Sequence, residues 1–322
     1  MSTAYNYPQA LHVDRAEIDI LLVGDSLGMV ELGYSTTQPV TMDEMLHHAK
    51  AVSRGCEKSL MVGDLPFGSY EICDEEAVRN AHRFVKESSM DCVKLEGGGG
   101  RRRETVRRIV ESGVAVMGHI GLTPQAISVI GGFRAQGRTA RKARDLLDEA
   151  LGLQDAGAFA IVLECVPDVV GKAITEALEI PTIGIGAGRH TNGQVLVYHD
   201  MLGLMSHPHH QQFVPKFCKQ YASLGDGVGD GLMKFRQEVE RGEFPSEEYS
   251  PYSMSAEEEQ RFKALLMEDA KEREKNAKVK EKDLREKDEY DVLNLYGSGS
   301  GSGSGSGNGS GSGNGSGSES GK

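Results

Sequence analysis

A net charge of −12 on 322 residues excludes a partner gripped through massed Lys and Arg, so a small molecule is expected and a nucleic acid is not. The five cysteines, Cys56, Cys73, Cys92, Cys165 and Cys218, are odd in number and never spaced as CxxC. That excludes a disulfide framework and a zinc knuckle, and it suits a reducing intracellular compartment. No apolar run approaches the roughly 20 residues that span a bilayer, and the start at Met1 leaves no room for a signal peptide, so no membrane partner is expected.

Short β-rich runs alternate with longer helical patterns. A scrap at residues 2–5 reads as a first strand, followed by a helix at about 9–16 and a strand at 18–25. The helix at 42–54 opens on TMDE, a capping box at residues 41–44. A strand at 60–65 leads to a helix at 75–87, where Asp74, Glu75 and Glu76 set negative charge on the positive end of the helix dipole. Strands at 91–96, 114–119 and 159–164 enclose helices at 102–112 and 141–156. A helix at 168–178, strands at 182–185 and 195–198, and a helix at 215–224 complete the alternation. Strand then helix, repeated, means parallel strands with crossovers.

Eight such units close a (β/α)8 TIM barrel, with reactive residues at the C-terminal ends of the strands. A doubly wound open sheet would set the same ends in a row and bring together only those beside its switch point. The barrel is expected over residues 1–252. Residues 253–296 carry dense charge of both signs with apolar positions too sparse for a heptad seam, and read as a charged, partly helical extension. Residues 297–322, almost purely Gly and Ser, have nothing to bury and read as a disordered tail.

The strand ends raise the functional question. The runs ILLVGDS (residues 20–26), LMVGDLPF (60–67), CVKLEGG (92–98) and IVLECVP (161–167) all finish on a carboxylate. Asp25, Asp64, Glu96, His119 and Glu164 therefore ring one mouth if the barrel closes. Three acids in one mouth repel unless a cation neutralises them, and an all-oxygen set without His or Cys at zinc spacing favours Mg²⁺ at Asp25, Asp64 and Glu96. The alternative for each is a helix cap or an ion pair. Lys94 and Glu96, two apart on a strand, face the same way, so Lys94 is placed to hold a substrate carboxylate. Glu164, between Leu163 and Cys165, occupies the most apolar strand end and suits a general base acting on the carbon beside a metal-polarised carbonyl. Its alternative is a carboxylate bonded to backbone amides.

Three further motifs carry weaker expectations. IGIGAG at 183–188 follows the seventh strand, where barrels bind phosphate, yet close packing is the expected role of its glycines. HPHH at 207–210 is expected in a surface loop, because Pro208 breaks the i, i+4 spacing. RRR at 101–103 is expected to begin a helix, with contact to an anionic ligand tail as the alternative.

TAYNYP, LLVGDSLGMV, GDLPFGSY, VKLEGG, GHIGLTPQ, GGFRAQGR, LECVP and IPTIGIGAG, in that order, resemble the ketopantoate (3-methyl-2-oxobutanoate) hydroxymethyltransferase family over about residues 3–250. The resemblance implies a barrel of the phosphoenolpyruvate mutase and isocitrate lyase type, a homodecamer, Mg²⁺, and 5,10-methylenetetrahydrofolate as co-substrate for a 2-oxo acid. It sets metal ligands on Asp25, Asp64 and Glu96. It sets substrate contacts on Asp25, Ser26, Asp64, Lys94 and His119, and the catalytic base on Glu164. Two departures stand out: the first strand is cut short, so that its neighbours would expose an edge, and Asn6 stands where the family usually has Asp. An inactivated barrel kept as an assembly module, or another Mg²⁺-dependent enolate lyase of the superfamily, are the alternatives. The extension past Pro251 suggests a eukaryotic lineage and, by resemblance, mitochondria; otherwise a cytoplasmic location is expected.

Overall fold

The computed structural model describes residues 1–132, 134–205 and 215–296. The HPHH motif, Phe133 and the tail from 297 onward lie outside them. Eight strands, β1 (Ser2–Thr3), β2 (Ile20–Val23), β3 (Leu60–Asp64), β4 (Cys92–Glu96), β5 (Ala115–Gly121), β6 (Ala160–Glu164), β7 (Thr182–Ile185) and β8 (Gly193–Gln194), form one sheet in sequential order. Every pairing is parallel. A parallel bridge between Ser2 and Leu196 joins the first strand to the segment just after the last. The fold is the expected (β/α)8 barrel.

The helices are α1 (Tyr7–Arg15), α2 (Leu27–Val30), α3 (Met42–Ser53), α4 (Asp74–Ser88), α5 (Gly100–Glu111), α6 (Ile127–Ile130), α7 (Ala140–Asp155), α8 (Asp168–Ala177), α9 (Tyr198–Met201), α10 (Leu224–Glu240) and α11 (Ala256–Tyr296). Two compact units divide the chain, Met1–Glu240 and Arg241–Lys322. The second unit holds the single long helix α11, with ion pairs such as Lys263 to Glu259 and Arg285 to Glu281 one turn apart.

The alternation of a strand explains where the chemistry lies. Leu22, Val62, Cys92, Met117, Ala160, Val162, Ile183 and Val195 pack together inside the barrel. Their neighbours along the strands, among them Leu21, Val93, Leu95, Val116, Ile161 and Leu163, pack outward on the helices. Because successive side chains face opposite ways, counting two along from Val62, Cys92, Met117 and Val162 lands on Asp64, Lys94, His119 and Glu164. The barrel is thus plugged by apolar side chains below and lined by polar ones above. At Gly63, which faces outward, an added Cβ would lie 2.5 Å from the Phe84 ring, so the glycine lets α4 seat its largest buried side chain on the sheet.

The shortened first strand does not leave the expected edge. Ser2 and Thr3 pair with Leu21 and Leu22, the Thr3 N–H donates to the Leu196 carbonyl at 3.4 Å, and the Tyr198 N–H donates to Thr3 Oγ1 at 2.9 Å. Asn6 caps α1 by accepting from the Gln9 N–H at 3.0 Å, a duty Asn and Asp perform about equally well.

Two expected elements are shifted. The last strand lies at Gly193–Gln194 rather than 195–198, because Val195 fills the barrel interior while Tyr198 already begins α9. No helix forms at 215–224, where the N–H groups of Tyr221, Leu224 and Gly225 donate back to the carbonyls of Met201, Leu202 and Gly203. The helix begins only at Leu224 and runs through four glycines, a residue more common in turns.

Asp14, buried at the foot of the barrel, ties α1 to the turn before β3. Its Oδ1 accepts from the N–H groups of Lys58 (2.8 Å) and Ser59 (3.0 Å), and from Ser59 Oγ and Cys56 Sγ. Burial pushes its carboxyl up, but these donors outweigh burial and hold it down to about 2. Asp14→Ala is therefore expected to cost about 1–3 kcal/mol through unpaired amides. A folded pKa below the unfolded value contributes stability above the unfolded pKa near 4, and that contribution fades as pH falls toward 2. The gap in unfolding midpoint between parent and variant should narrow over that range; a constant gap would refute the charge argument.

Candidate active site

Lys94 is the centre of the polar layer. Its Nζ lies 2.7 Å from both oxygens of Asp64, and both side chains are buried. Asp25, on the turn after β2, donates its N–H to Asp64 Oδ2 at 3.2 Å. Beside it the Ser26 hydroxyl meets the hydroxyl of fully buried Tyr5 at 2.8 Å. Glu96, on the same face of β4 as Lys94, stands with Oε1 3.4 Å from His119 Nδ1, and His119 Nε2 is 3.2 Å from Glu164 Oε2. Neither imidazole contact is aligned as a hydrogen bond, so charge rather than direction holds the ring.

One buried lysine therefore serves three buried acids. Burial works against the Lys94 ammonium, yet Asp64, Glu96 and Asp25 outweigh it and keep the proton firmly on nitrogen. For Asp64, burial and the charges of Asp25 and Glu96 exceed what Lys94 returns, and its carboxyl is pushed up. Burial likewise pushes Glu96 up against the counter-pull of His119. Burial and Lys94 push His119 down, but Glu164 and Glu96 prevail and raise it to about 9, so the ring is cationic at neutral pH.

The five predicted strand-end residues and Lys94 are thus brought together, with Asp25, Asp64 and Lys94 on one side and Glu96, His119 and Glu164 on the other. Two residues that strand periodicity misses connect the halves. Gln125, in the 3₁₀ turn Pro124–Ala126 after β5, donates its N–H to Glu96 Oε2 at 3.0 Å and its side-chain Nε2 to Asp25 Oδ2 at 2.9 Å. Tyr70 gives its hydroxyl to Gln125 Oε1 and accepts the Glu96 N–H at 3.2 Å. No strand period marks either residue, since both act across the mouth from irregular segments, although each closes a motif of the family resemblance, GDLPFGSY and GHIGLTPQ.

Glu164 is aimed by its backbone. Cys165 sits at φ +51°, a left-handed conformation unusual for a side-chain-bearing residue. Its N–H donates to the Ile185 carbonyl at 2.8 Å, its carbonyl accepts from Gln136 at 2.9 Å, and the Glu164 carbonyl accepts from Leu122 at 2.8 Å. Gly121, at φ +98°, passes so close that an added Cβ would lie 2.2 Å from the Glu164 carbonyl oxygen. Gly121→Ala is expected to lower stability by at least about 1–3 kcal/mol from the backbone conformation alone. Chemical denaturation of the purified variant checks this, and a parent-like midpoint would refute it.

Two of the weaker motifs, IGIGAG and RRR, resolve as packing. The Arg189 N–H at the end of IGIGAG donates to the Asp168 carboxylate at 3.1 Å, so an acid of the chain itself occupies that loop. Arg102 stands 4.6 Å over the Tyr70 ring, and Arg103 donates to the carbonyls of Gly98 and Asp148, within a run that starts α5.

Among the described residues, no set of three or more His, Cys, Asp or Glu is placed to hold a metal ion. Lys94 occupies both oxygens of Asp64, and Gln125 occupies one oxygen each of Asp25 and Glu96. The chemistry of the donors nevertheless fits a hard divalent cation, for they are oxygen-only, buried and in excess of the one lysine.

A family profile for ketopantoate hydroxymethyltransferase matches residues 1–247. The chain belongs to the ketopantoate hydroxymethyltransferase family. Within that family it is 55% identical to 3-methyl-2-oxobutanoate hydroxymethyltransferase 1, mitochondrial, of Arabidopsis thaliana, over 80% of this chain and 74% of the relative. It is 54% identical to 3-methyl-2-oxobutanoate hydroxymethyltransferase of Heliobacterium modesticaldum, over 78% and 88% of the two chains. In fold this ketopantoate hydroxymethyltransferase family member is similar to phosphoenolpyruvate phosphomutase of Streptomyces platensis, with a TM-score of 0.50 at 14% identity over 85% and 93% of the chains. It is also similar to phosphonopyruvate hydrolase complexed with oxalate and Mg²⁺, with a TM-score of 0.50 at 10% identity over 82% and 91%. Among the described residues no helix is long and apolar enough to cross a membrane.

Proposed function

We propose that the protein transfers a hydroxymethyl group from 5,10-methylenetetrahydrofolate to 3-methyl-2-oxobutanoate, giving 2-dehydropantoate and tetrahydrofolate in pantothenate biosynthesis. The observation that carries this reading is the separation of roles in the polar layer: three buried acids around Lys94, and a fourth, Glu164, set apart behind His119. Mg²⁺ bound through Asp25, Asp64 and Glu96 would supply Lewis-acid polarisation of the 2-oxo acid. Lys94 pairs with Asp64 and presents its ammonium to the substrate carboxylate. Ser26, fixed by Tyr5, orients that carboxylate. Glu164, its Oε2 3.2 Å from His119 Nε2, takes the proton from C3. One water is consumed: both bonds from the methylene carbon to the folate nitrogens break, the water supplying the hydroxyl oxygen and the protons for the two nitrogens. The electron pair left at C3 forms the new bond to that carbon, and the proton taken by Glu164 ends on the new hydroxyl. The packed mouth orients the partners and excludes bulk water.

The inactive-barrel reading is not favoured, since β1 pairs on one side with β2 and bridges Leu196 on the other. The charged extension 253–296 and the tail 297–322 are assigned no part in the chemistry. Leu224, Val228, Leu232 and Val239 are exposed along one stripe of α10, apolar surface of the kind a homo-oligomer covers, and a decamer is the proposed assembly. Mitochondrial location is proposed from the names of the plant relatives.

The decisive experiment incubates the protein with 3-methyl-2-oxobutanoate and Mg²⁺ in deuterated water. Deuterium is expected at C3 without folate, and 2-dehydropantoate on adding methylenetetrahydrofolate. Absence of both would overturn the reading.

A further inference from the structure

Gln125 is 2% exposed, and all of its polar groups are engaged. From a turn after β5 its amide reaches over β4 and β3 to Asp25 beyond β2, and also donates to the Leu65 carbonyl at 3.0 Å after β3. Its backbone N–H holds Glu96, and its carbonyl accepts from Gln38 at 2.9 Å. One residue thus fixes two of the three acids from opposite sides of the mouth.

The directions of these bonds are forced. The Glu96 N–H donates to the Tyr70 oxygen, so the Tyr70 proton is the one given to Gln125 Oε1. That places Nε2, with two protons, toward Asp25 and Leu65, both acceptors. A flipped amide would set an acceptor against two acceptors. Asp25 is therefore met as an acceptor, and the whole chain of bonds starts and ends on Glu96.

We infer that Gln125 is a positioning residue that sets the spacing and polarity of Asp25 and Glu96 for a divalent cation, with Tyr70 acting through it. The inference rests on the function proposed above. Partners that orient a metal ligand change metal affinity by about 10–100-fold when removed. Gln125→Met, close in volume but without donors, should weaken Mg²⁺ binding by that factor in isothermal titration calorimetry, with near-parent circular dichroism.

Tyr70→Phe should weaken Mg²⁺ by a smaller factor. The double variant should lose less than the product of the two single losses, because with Gln125 gone Tyr70 keeps only its direct bond from the Glu96 N–H. A purely structural role would leave Mg²⁺ affinity unmoved or make the two losses multiply, and either result in folded variants overturns the inference. Should Gln125→Met not fold, Tyr70→Phe decides, since parent-like Mg²⁺ affinity there refutes the relay. Deuterium exchange by the parent separates the two levels: a parent that exchanges, with variants that bind Mg²⁺ normally, sinks only the role of Gln125. A parent that neither exchanges nor binds Mg²⁺ sinks the functional reading and this one together.

Discussion

Glu164→Gln should reduce deuterium exchange at C3 of 3-methyl-2-oxobutanoate by about 10²–10⁴-fold, the usual contribution of a positioned general base. The amide keeps the size of the side chain and its place at the end of β6, where the bonds to Leu122, Ile185 and Gln136 are made by main chain and do not depend on the carboxylate. Mg²⁺ binding should stay near the parent value, because Glu164 lies beyond His119 from the three acids. Proton nuclear magnetic resonance of the C3 position measures the first quantity and calorimetry the second. Exchange at the parent rate would remove Glu164 from the mechanism, and a matching loss of Mg²⁺ would move it into the ligand set.

Lys94→Met should be the most destabilising single change in the barrel interior. It withdraws the lysine that pairs with Asp64 from a buried cluster that also holds Asp25 and Glu96. Removing one partner of a buried pair costs about 3–5 kcal/mol, whereas replacing both by apolar side chains is often neutral or better. The melting temperature should therefore fall on the order of 10 °C, and the double variant Lys94→Met/Asp64→Leu should recover much of the loss while remaining inactive. A single variant that melts with the parent would show that Asp64 is protonated, not paired, in the native protein.

The barrel and its acids were legible because parallel strands buried on both faces read as unbroken apolar runs, and the break in each run marks the mouth. Asp64, Lys94, Glu96, His119 and Glu164 needed only that break and a period of two. The helix at Leu224–Glu240 was not legible, since glycines at 225, 227, 229 and 231 argue for turns while the backbone bonds of α10 are local and tolerate them. Residues 215–223 misled in the other direction, their amides being spent on a distant turn. Gln125 and Tyr70 left no periodic trace. Their weight comes from crossing a space between strands that the linear chain does not show.

The pairing of Ser2 with Leu196 also bears on how the molecule is made. Thr3 can settle against Leu22 early in synthesis, yet its second neighbour leaves the ribosome only after nearly two hundred residues more. Such a distant partner makes ring closure a late and slow event. Until then the first strand has one loose side, so the Thr3 amide should exchange its hydrogen only when the finished protein opens as a whole.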